Sequence, residues 1–328
     1  MAIVRSQVIE RTTVDHEPPH APPAPHMVWI PAGEFVIGSD AHYVEERPAH
    51  RVRVEGFWID QFPVTNERFA QFVAETGHVT LAELAPNPGD YPGALAEMLH
   101  PGSLAFTKPS GPVSMNDICN WWSFVLGADW RHPQGPGSST EHLVNHPVVH
   151  VAYGDVQAFA AWAGKEIPTE AEWERAARGG LEGAVYAWGN EFTPNGRHMA
   201  NTWQGQFPYL NRREDGYEGT SPVDAYPPNG YGVQDMIGNV WEWTSDWFAA
   251  RHAPKRSGCC AASAAGSYDP ALPSIRIPRK VLKGGSHLCA PNYCRRYRPA
   301  ARFPQPIDTS TSHVGFRCIS RPTKSGGK

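Results

Sequence analysis

The chain has 328 residues, a formal net charge of −4 and a pI near 6.4, and it carries no long basic block, so nothing electrostatic points to nucleic acid or an anionic membrane as a partner. Its 31 glycines and 32 prolines stand beside 12 tryptophans, whereas average usage is roughly 12% for Gly and Pro together. That composition predicts few long regular elements and a compact, irregular fold in which large aromatic side chains do much of the packing.

Residues 1–25 are Pro/His-rich and lack the apolar run of a signal peptide, so they read as a flexible tail rather than a leader or anchor. No window reaches the roughly 18 apolar residues of a membrane-spanning helix. Residues 26–322 show no linker-like break and no internal repeat and read as one domain, with residues 323–328 a second flexible tail. Only 6 cysteines occur; without a leader, the reducing cytoplasm is the expected compartment.

Within the domain, MVWIPAGEFVIGSD reads as two short strands around the Pro31-Ala32-Gly33 turn, and RVRVEGFWIDQFPVT as another strand pair. Thr65 then caps a helix whose stripe is Phe69, Phe72, Val73 and Thr76, and Gly77 stops it. From Val79 to His146 the chain reads as loop, with an aromatic cluster at Trp121 and Trp122. A second helix is expected from Asp155, burying Phe159 and Trp162 before Gly164. A third follows Thr169, where Glu172 completes a capping box, Trp173, Ala176 and Ala177 face inward, and Gly179-Gly180 ends it. From Tyr186 onward short aromatic segments are split by Asn, Gly and Pro.

Two of those segments are rich in oxygen donors. In ANTWQGQFPYLNRREDGYEG, Asn201 and Asp215 stand at either end of a loop; in DMIGNVWEW, Asp235, Asn239 and Glu242 bracket Gly238. Calcium takes about six to eight oxygens from carboxylates, amides and carbonyls. Both loops suit it, and ordinary Asx turns and caps are the alternative.

The segment KGGSHLCAPNYCRRYR places Cys289 and Cys294 five residues apart, about 140° on a helix and on opposite faces of a strand. Only a turn brings such thiols together, and Pro291 and Asn292 favour one. Convergent thiols form a disulfide, act as a nucleophile and resolving pair, or bind a soft metal, for which two thiolates suit Cu(I); unrelated buried thiols are the remaining option. Zinc would need further ligands, with His287 a poorly spaced third. Arg295, Arg296, Arg298 and Arg302 cluster just beyond, either as a solvated, salt-bridged surface or as a site for a peptide or anion. The adjacent Cys259 and Cys260 have no assignable role.

Taken in order, WIPAGEF, IGSD, WRHPQGP, NHPVVHVAYGDVQAFAAWAGKEIPTEAEWERAARGG, YAWGNEF, EDGYEGTSPVDAYPPNGYGVQDMIGNVWEWTSDW, KVLKGGSHLCAPNYCRRYRPAAR and SHVGFRC resemble the formylglycine-generating enzymes, or sulfatase-modifying factors, over nearly the whole domain. The resemblance implies an α+β fold of low regular structure, distantly similar to C-type lectins. It implies an oxidoreductase that uses Cu(I) and O2, with a thiol reductant, to convert a cysteine in a Cys-x-Pro-x-Arg motif of an unfolded sulfatase to Cα-formylglycine. On this chain Cys289 and Cys294 would hold the copper, and Ser286, Trp241 and Tyr293 would line the pocket, plain packing being the alternative for Trp241. His313 and Arg296 would contact substrate. Asn201, Asp215, Asp235 and Glu242, with the carbonyls of Thr202, Tyr217, Gly238 and Val240, match structural calcium ligands, and Glu46 is a further candidate.

The departures are specific. Ala160 and Pro299 stand where secreted members carry disulfide cysteines, which leaves Cys318 unpaired and suits a cytoplasmic, prokaryotic member. His313 replaces a pocket asparagine. The superfamily also holds inert paralogues, so a non-catalytic peptide-binding protein is the alternative; iron-dependent sulfoxide synthases need a histidine triad on an extra helical domain that is not expected here.

Overall fold

The structure, a computed structural model, describes residues 17–91, 93–252 and 262–322. Cys259 and Cys260 lie outside the described residues, as do residues 1–16 and 323–328 of the two expected tails. Among the described residues no helix is long and apolar enough to cross a membrane.

β1 (Met27–Ile30), β2 (Gly33–Ile37), β3 (His50–Val54) and β4 (Phe57–Asp60) form a bent antiparallel ribbon. The strands lie where the alternation puts them, but their partners are nested rather than consecutive: Phe35 faces Val52 and Trp29 faces Trp58. Both breaks, at Pro31-Ala32 and at Glu55-Gly56, fall at the same register, so the ribbon folds there as one. Only glycine fits at 56, because a Cβ would lie 2.4 Å from the Trp29 ring. His20, just before the ribbon, sits with its ring 5.9 Å from that of Trp58.

α1 (Asn66–Thr76) starts on Thr65, whose hydroxyl accepts from Arg68 N at 3.2 Å, and stops at Gly77 with φ 68°. Between α1 and α2 the chain is largely irregular, as its composition predicts. It nevertheless contains a hairpin, β5 (Gly102–Phe106) and β6 (Trp122–Leu126), that the loop reading missed. α2 (Tyr153–Trp162) begins two residues before the expected Asp155. The reason is that Asp155 caps from inside, its carboxylate accepting from Ala152 N at 2.8 Å. Phe159 is buried there, whereas Trp162 is only half-buried. α3 (Glu170–Arg178) carries the expected capping box, Thr169 N donating to Glu172 at 2.7 Å, and buries Trp173, Ala176 and Ala177 completely.

After the short pair β7 (Gly205–Gln206) and β8 (Leu210–Asn211), the central sheet forms from β9 (Trp241–Trp247), β10 (Arg279–Lys283), β11 (Arg302–Pro306) and β12 (Val314–Gly315). Its order is β11-β10-β9-β12, and only β12 runs parallel to β9. β13 (Ile319–Ser320) returns to the free edge of β4 and ties the end of the chain to its start. One core cluster joins α1, α2, α3 and the sheet; a smaller one of Trp121, Trp203, Phe207, Leu288 and Ala290 backs the cysteine segment.

Of the arginines after Cys294, Arg295 is exposed, whereas Arg298 and Arg302 form neither a solvated surface nor an open anion site but buried ion pairs. Arg298 and Arg302 are each 2% exposed. Arg298 donates to Glu46 at 2.9 Å and Arg302 to Glu170 at 2.9 Å. Glu46 is thus the buried counter-ion of Arg298 in this structure. Glu174 in turn takes Lys283 at 2.8 Å and Arg178 at 2.6 Å.

A buried pair is costly to break because the surviving charge is left uncompensated. Glu46→Leu should therefore lower unfolding free energy by about 3–5 kcal/mol, measured by urea denaturation, and Glu46→Leu with Arg298→Met should recover much of the loss. A single variant as stable as the parent would show that the Glu46–Arg298 pair is dispensable.

Candidate active site

The cysteine segment leaves β10 through Gly284 and Gly285, with φ 94° and 75°. A Cβ on Gly285 would lie 2.8 Å from the Arg296 carbonyl and 3.0 Å from Tyr297 N. Glycine there lets the two ends of the segment touch, closing it as a loop. Cys289 N donates to the Ser286 carbonyl at 2.9 Å, and Cys294 N to the Ala290 carbonyl at 2.9 Å. One helical turn thus separates the cysteines, and it places their sulfurs 3.2 Å apart. That distance exceeds the roughly 2.05 Å of a disulfide, and both are free thiols, as are exposed Cys119 and buried Cys318.

The two sulfurs are biased in opposite directions. Cys294 is held down first by the hydrogen bond from Cys289 and then by Arg296, while burial pushes Cys289 up. Ser286 N faces Cys289 Sγ at 3.5 Å, and Arg296 Nη1 faces Cys294 Sγ at 3.9 Å. Arg296 does not stand free for substrate: Glu45 takes its Nη2 at 2.6 Å, and the Tyr43 ring lies 3.9 Å beneath the guanidinium.

Both sulfurs open into a groove of about 380 Å³. Its lining brings together Cys289, Cys294, Ser286, Trp241, Tyr293, Arg296 and His313, with Trp122, Phe207, Phe303, Thr311 and Gln305 beside them. Tyr293 stacks on Phe207 with centroids 4.3 Å apart, and its hydroxyl is pushed up by burial and by the neighbouring cysteines. Ser286 Oγ accepts from Leu288 N at 3.3 Å, leaving its own proton available. Trp241 opens β9, is 4% exposed, and packs 5.8 Å from Phe303. His313 lies 4.7 Å from Trp122, bonds Thr311 Oγ1 through Nδ1 at 2.8 Å, and is pushed down to about 3, chiefly by burial, so the ring is neutral. His287 is not among the groove residues; its Nδ1 donates to the Asn239 carbonyl at 2.8 Å.

The groove residues that the sequence reading did not single out are the aliphatics Leu104, Ile118 and Leu288, the aromatics Phe207 and Phe303, and Cys119, Gln305 and Thr311. Alternation along RFPQP puts residues 303 and 305 on one face, which was the available signal.

The oxygen-rich loops are less uniform. Among the described residues no three His, Cys, Asp or Glu side chains converge as a metal group. Glu242 is fully engaged, by Arg317 Nε and Nη2 at 2.8 Å and by Trp173 Nε1 at 2.7 Å. Asp215 accepts from Gln204 at 2.7 Å and from Tyr217 N at 3.0 Å, and the Gln204 amide also donates to the Thr202 carbonyl. Asn201 donates to the Gly219 carbonyl at 2.9 Å. Asp235 differs: Oδ1 is buried without a partner, and the carboxyl is pushed up to about 8, chiefly by burial. Asn239 joins these loops, its amide donating to Ser221 O at 3.0 Å and Asp235 at 2.6 Å.

Known proteins bear on this geometry. The sulfatase-modifying factor enzyme 1-like domain matches residues 12–322. Formylglycine-generating enzyme of Mycobacterium tuberculosis is 52% identical over 299 residues, covering 90% of this chain and 98% of that one. The inactive C-alpha-formylglycine-generating enzyme 2 of Mus musculus is 39% identical, covering 90% and 86%. Among solved structures, PvdO from Pseudomonas aeruginosa superposes with a TM-score of 0.56 at 23% identity, covering 90% and 94%, a likeness of fold.

If Arg296 biases the thiol pair, its cation favours the thiolate and lowers the pH at which it forms. Arg296→Met should shift the ultraviolet thiolate absorbance of the metal-free protein upward by about one pH unit or more. An unmoved titration would remove Arg296 from that role.

Proposed function

This chain belongs to the sulfatase-modifying factor enzyme 1-like family, and on that footing we propose that it oxidises the cysteine of a Cys-x-Pro-x-Arg motif in an unfolded sulfatase to Cα-formylglycine. The observation that carries the reading is the pair of free thiols 3.2 Å apart, open to a groove. A non-catalytic peptide binder has no need of two converging sulfurs there.

Cys289 and Cys294 fit a low-coordinate soft metal, because they converge, are reduced, and already favour one thiolate beside Arg296. Bound there, Cu(I) would supply the activation of O2 and the removal of hydrogen from the substrate Cβ. The balance is peptidyl CH2SH plus O2, two protons and two electrons, giving the aldehyde, hydrogen sulfide and water; a thiol reductant provides the electrons.

The chain's own residues set the conditions for that chemistry. Trp241, Phe303 and Phe207 wall the groove and exclude bulk water from the sulfurs. Tyr293 keeps its phenolic proton, and Ser286 has a free hydroxyl proton, so both are donors at the groove wall. His313, neutral, neither repels nor attracts charge by protonation. Free Cys119, Cys289, Cys294 and Cys318 suit a reducing cytoplasm of a prokaryotic cell.

Structural Ca2+ is part of the same reading. Unpartnered Asp235 Oδ1 favours a cation near Gly238 and Val240, whereas Glu242 would first have to release Arg317 or Trp173. Around Asn201, Thr202, Asp215 and Tyr217, the Gln204 amide stands where an added cation would compete.

Cys289→Ser and Cys294→Ser should each abolish conversion of a Cys-x-Pro-x-Arg peptide, read by mass spectrometry as the change from thiol to aldehyde, with copper and a reductant supplied to all samples. Turnover retained in either variant removes that cysteine from the chemistry; binding without turnover in the parent protein favours the peptide-binding alternative.

An acid raised to about 8 in the fold holds its proton more tightly than in the unfolded chain, so it lowers stability as pH rises toward that value. Calcium should therefore raise the melting temperature more at mildly alkaline than at acidic pH, and Asp235→Asn should remove the pH dependence of that gain. A calcium effect equal at both pH values would argue against Asp235 as a ligand.

A further inference from the structure

The groove wall is mainly apolar, so each polar side chain that reaches it has to be accounted for. Ser286, Arg296 and Thr311 have partners in Leu288, Glu45 and His313. Gln305 does not. It lies on edge strand β11, is 8% exposed, lines the groove, and among the described residues its carboxamide has no hydrogen-bond partner. The carboxamide is not among the wholly enclosed unpartnered groups, so water meets it in the free protein; a ligand that covers the groove displaces that water and has to supply matching groups or leave the amide unpaired.

We infer that Gln305 reads the main chain of the polypeptide in the groove, its carboxamide pairing with a substrate peptide group. The match is chemical: the amide oxygen accepts a backbone N–H while the NH2 donates to a backbone C=O, as neighbouring strands do for one another. This rests on the peptide-substrate reading above. It adds how the groove tells an unfolded chain from a folded one, because helices and paired strands have those N–H and C=O groups already engaged. It also lets one groove take clients of different sequence, since every residue except proline presents the same pair of groups.

The test is equilibrium binding of a fluorescent Cys-x-Pro-x-Arg peptide whose cysteine is replaced by serine, so no turnover is required. Each amide flanking that serine is replaced in turn by an ester, which removes the N–H donor and weakens the carbonyl. In the parent protein one ester should weaken binding about tenfold, the loss expected for a buried hydrogen bond. Gln305→Leu should bind the all-amide peptide about tenfold more weakly and be indifferent to that same ester, the coupling that a double-mutant cycle detects. Thermal melting checks that the variant is folded, and Gln305→Met is the second variant if it is not. Unchanged affinity in a folded variant, or an ester penalty equal in parent and variant, overturns the inference. Conversion retained in Cys289→Ser with an intact ester coupling would sink the oxidase reading alone, whereas conversion abolished in Cys289→Ser with no ester coupling would sink this inference alone.

Discussion

The position of the paired sulfurs depends on how the arginines beyond them are neutralised. Arg296, Arg298 and Arg302 reach back to Glu45, Glu46 and Glu170, and the last two pairs are almost wholly buried. Charges so placed have little freedom, because each carboxylate is the main compensation for its guanidinium. The segment after Cys294 is therefore fixed to the turn at residues 44–46 and to the first turn of α3. With one end held this way and the other fixed by β10, the thiols sit on a rigid frame within an otherwise irregular fold.

That frame also explains the division of labour at the groove. Arg296 faces Cys294 but is tied to Glu45, so its charge is local and does not dominate the groove. The walls are aromatic, and the histidine among them is neutral. An environment of this kind favours soft, low-charge chemistry at sulfur and disfavours hydrated ions.

Much of this was legible in the sequence where the cause is local. The α3 capping box and the Gly77 stop rest on contacts within a few residues, and both formed as expected. α2 was displaced because Asp155 caps from within the helix, a choice that composition does not reveal. The β5–β6 hairpin was missed because its strands are separated by a long polar loop with its own Asp117 cap. At the site, the cysteines, Trp241, Tyr293 and His313 were found from residue type and family likeness. The carboxylates that hold the arginines were not, since Glu45 lies 251 residues from Arg296 and no periodic signal spans that distance.

The neck formed where Gly285 meets the Arg296 and Tyr297 backbone has an evolutionary corollary. A loop whose ends are joined by main-chain contact can exchange side chains in its middle without shifting its anchors. An exposed position such as Pro291 can thus be exchanged while the sulfur spacing stays constant, whereas Leu288, packed in the smaller core, and Asn292, bonded to the Phe207 backbone, belong to the mount itself.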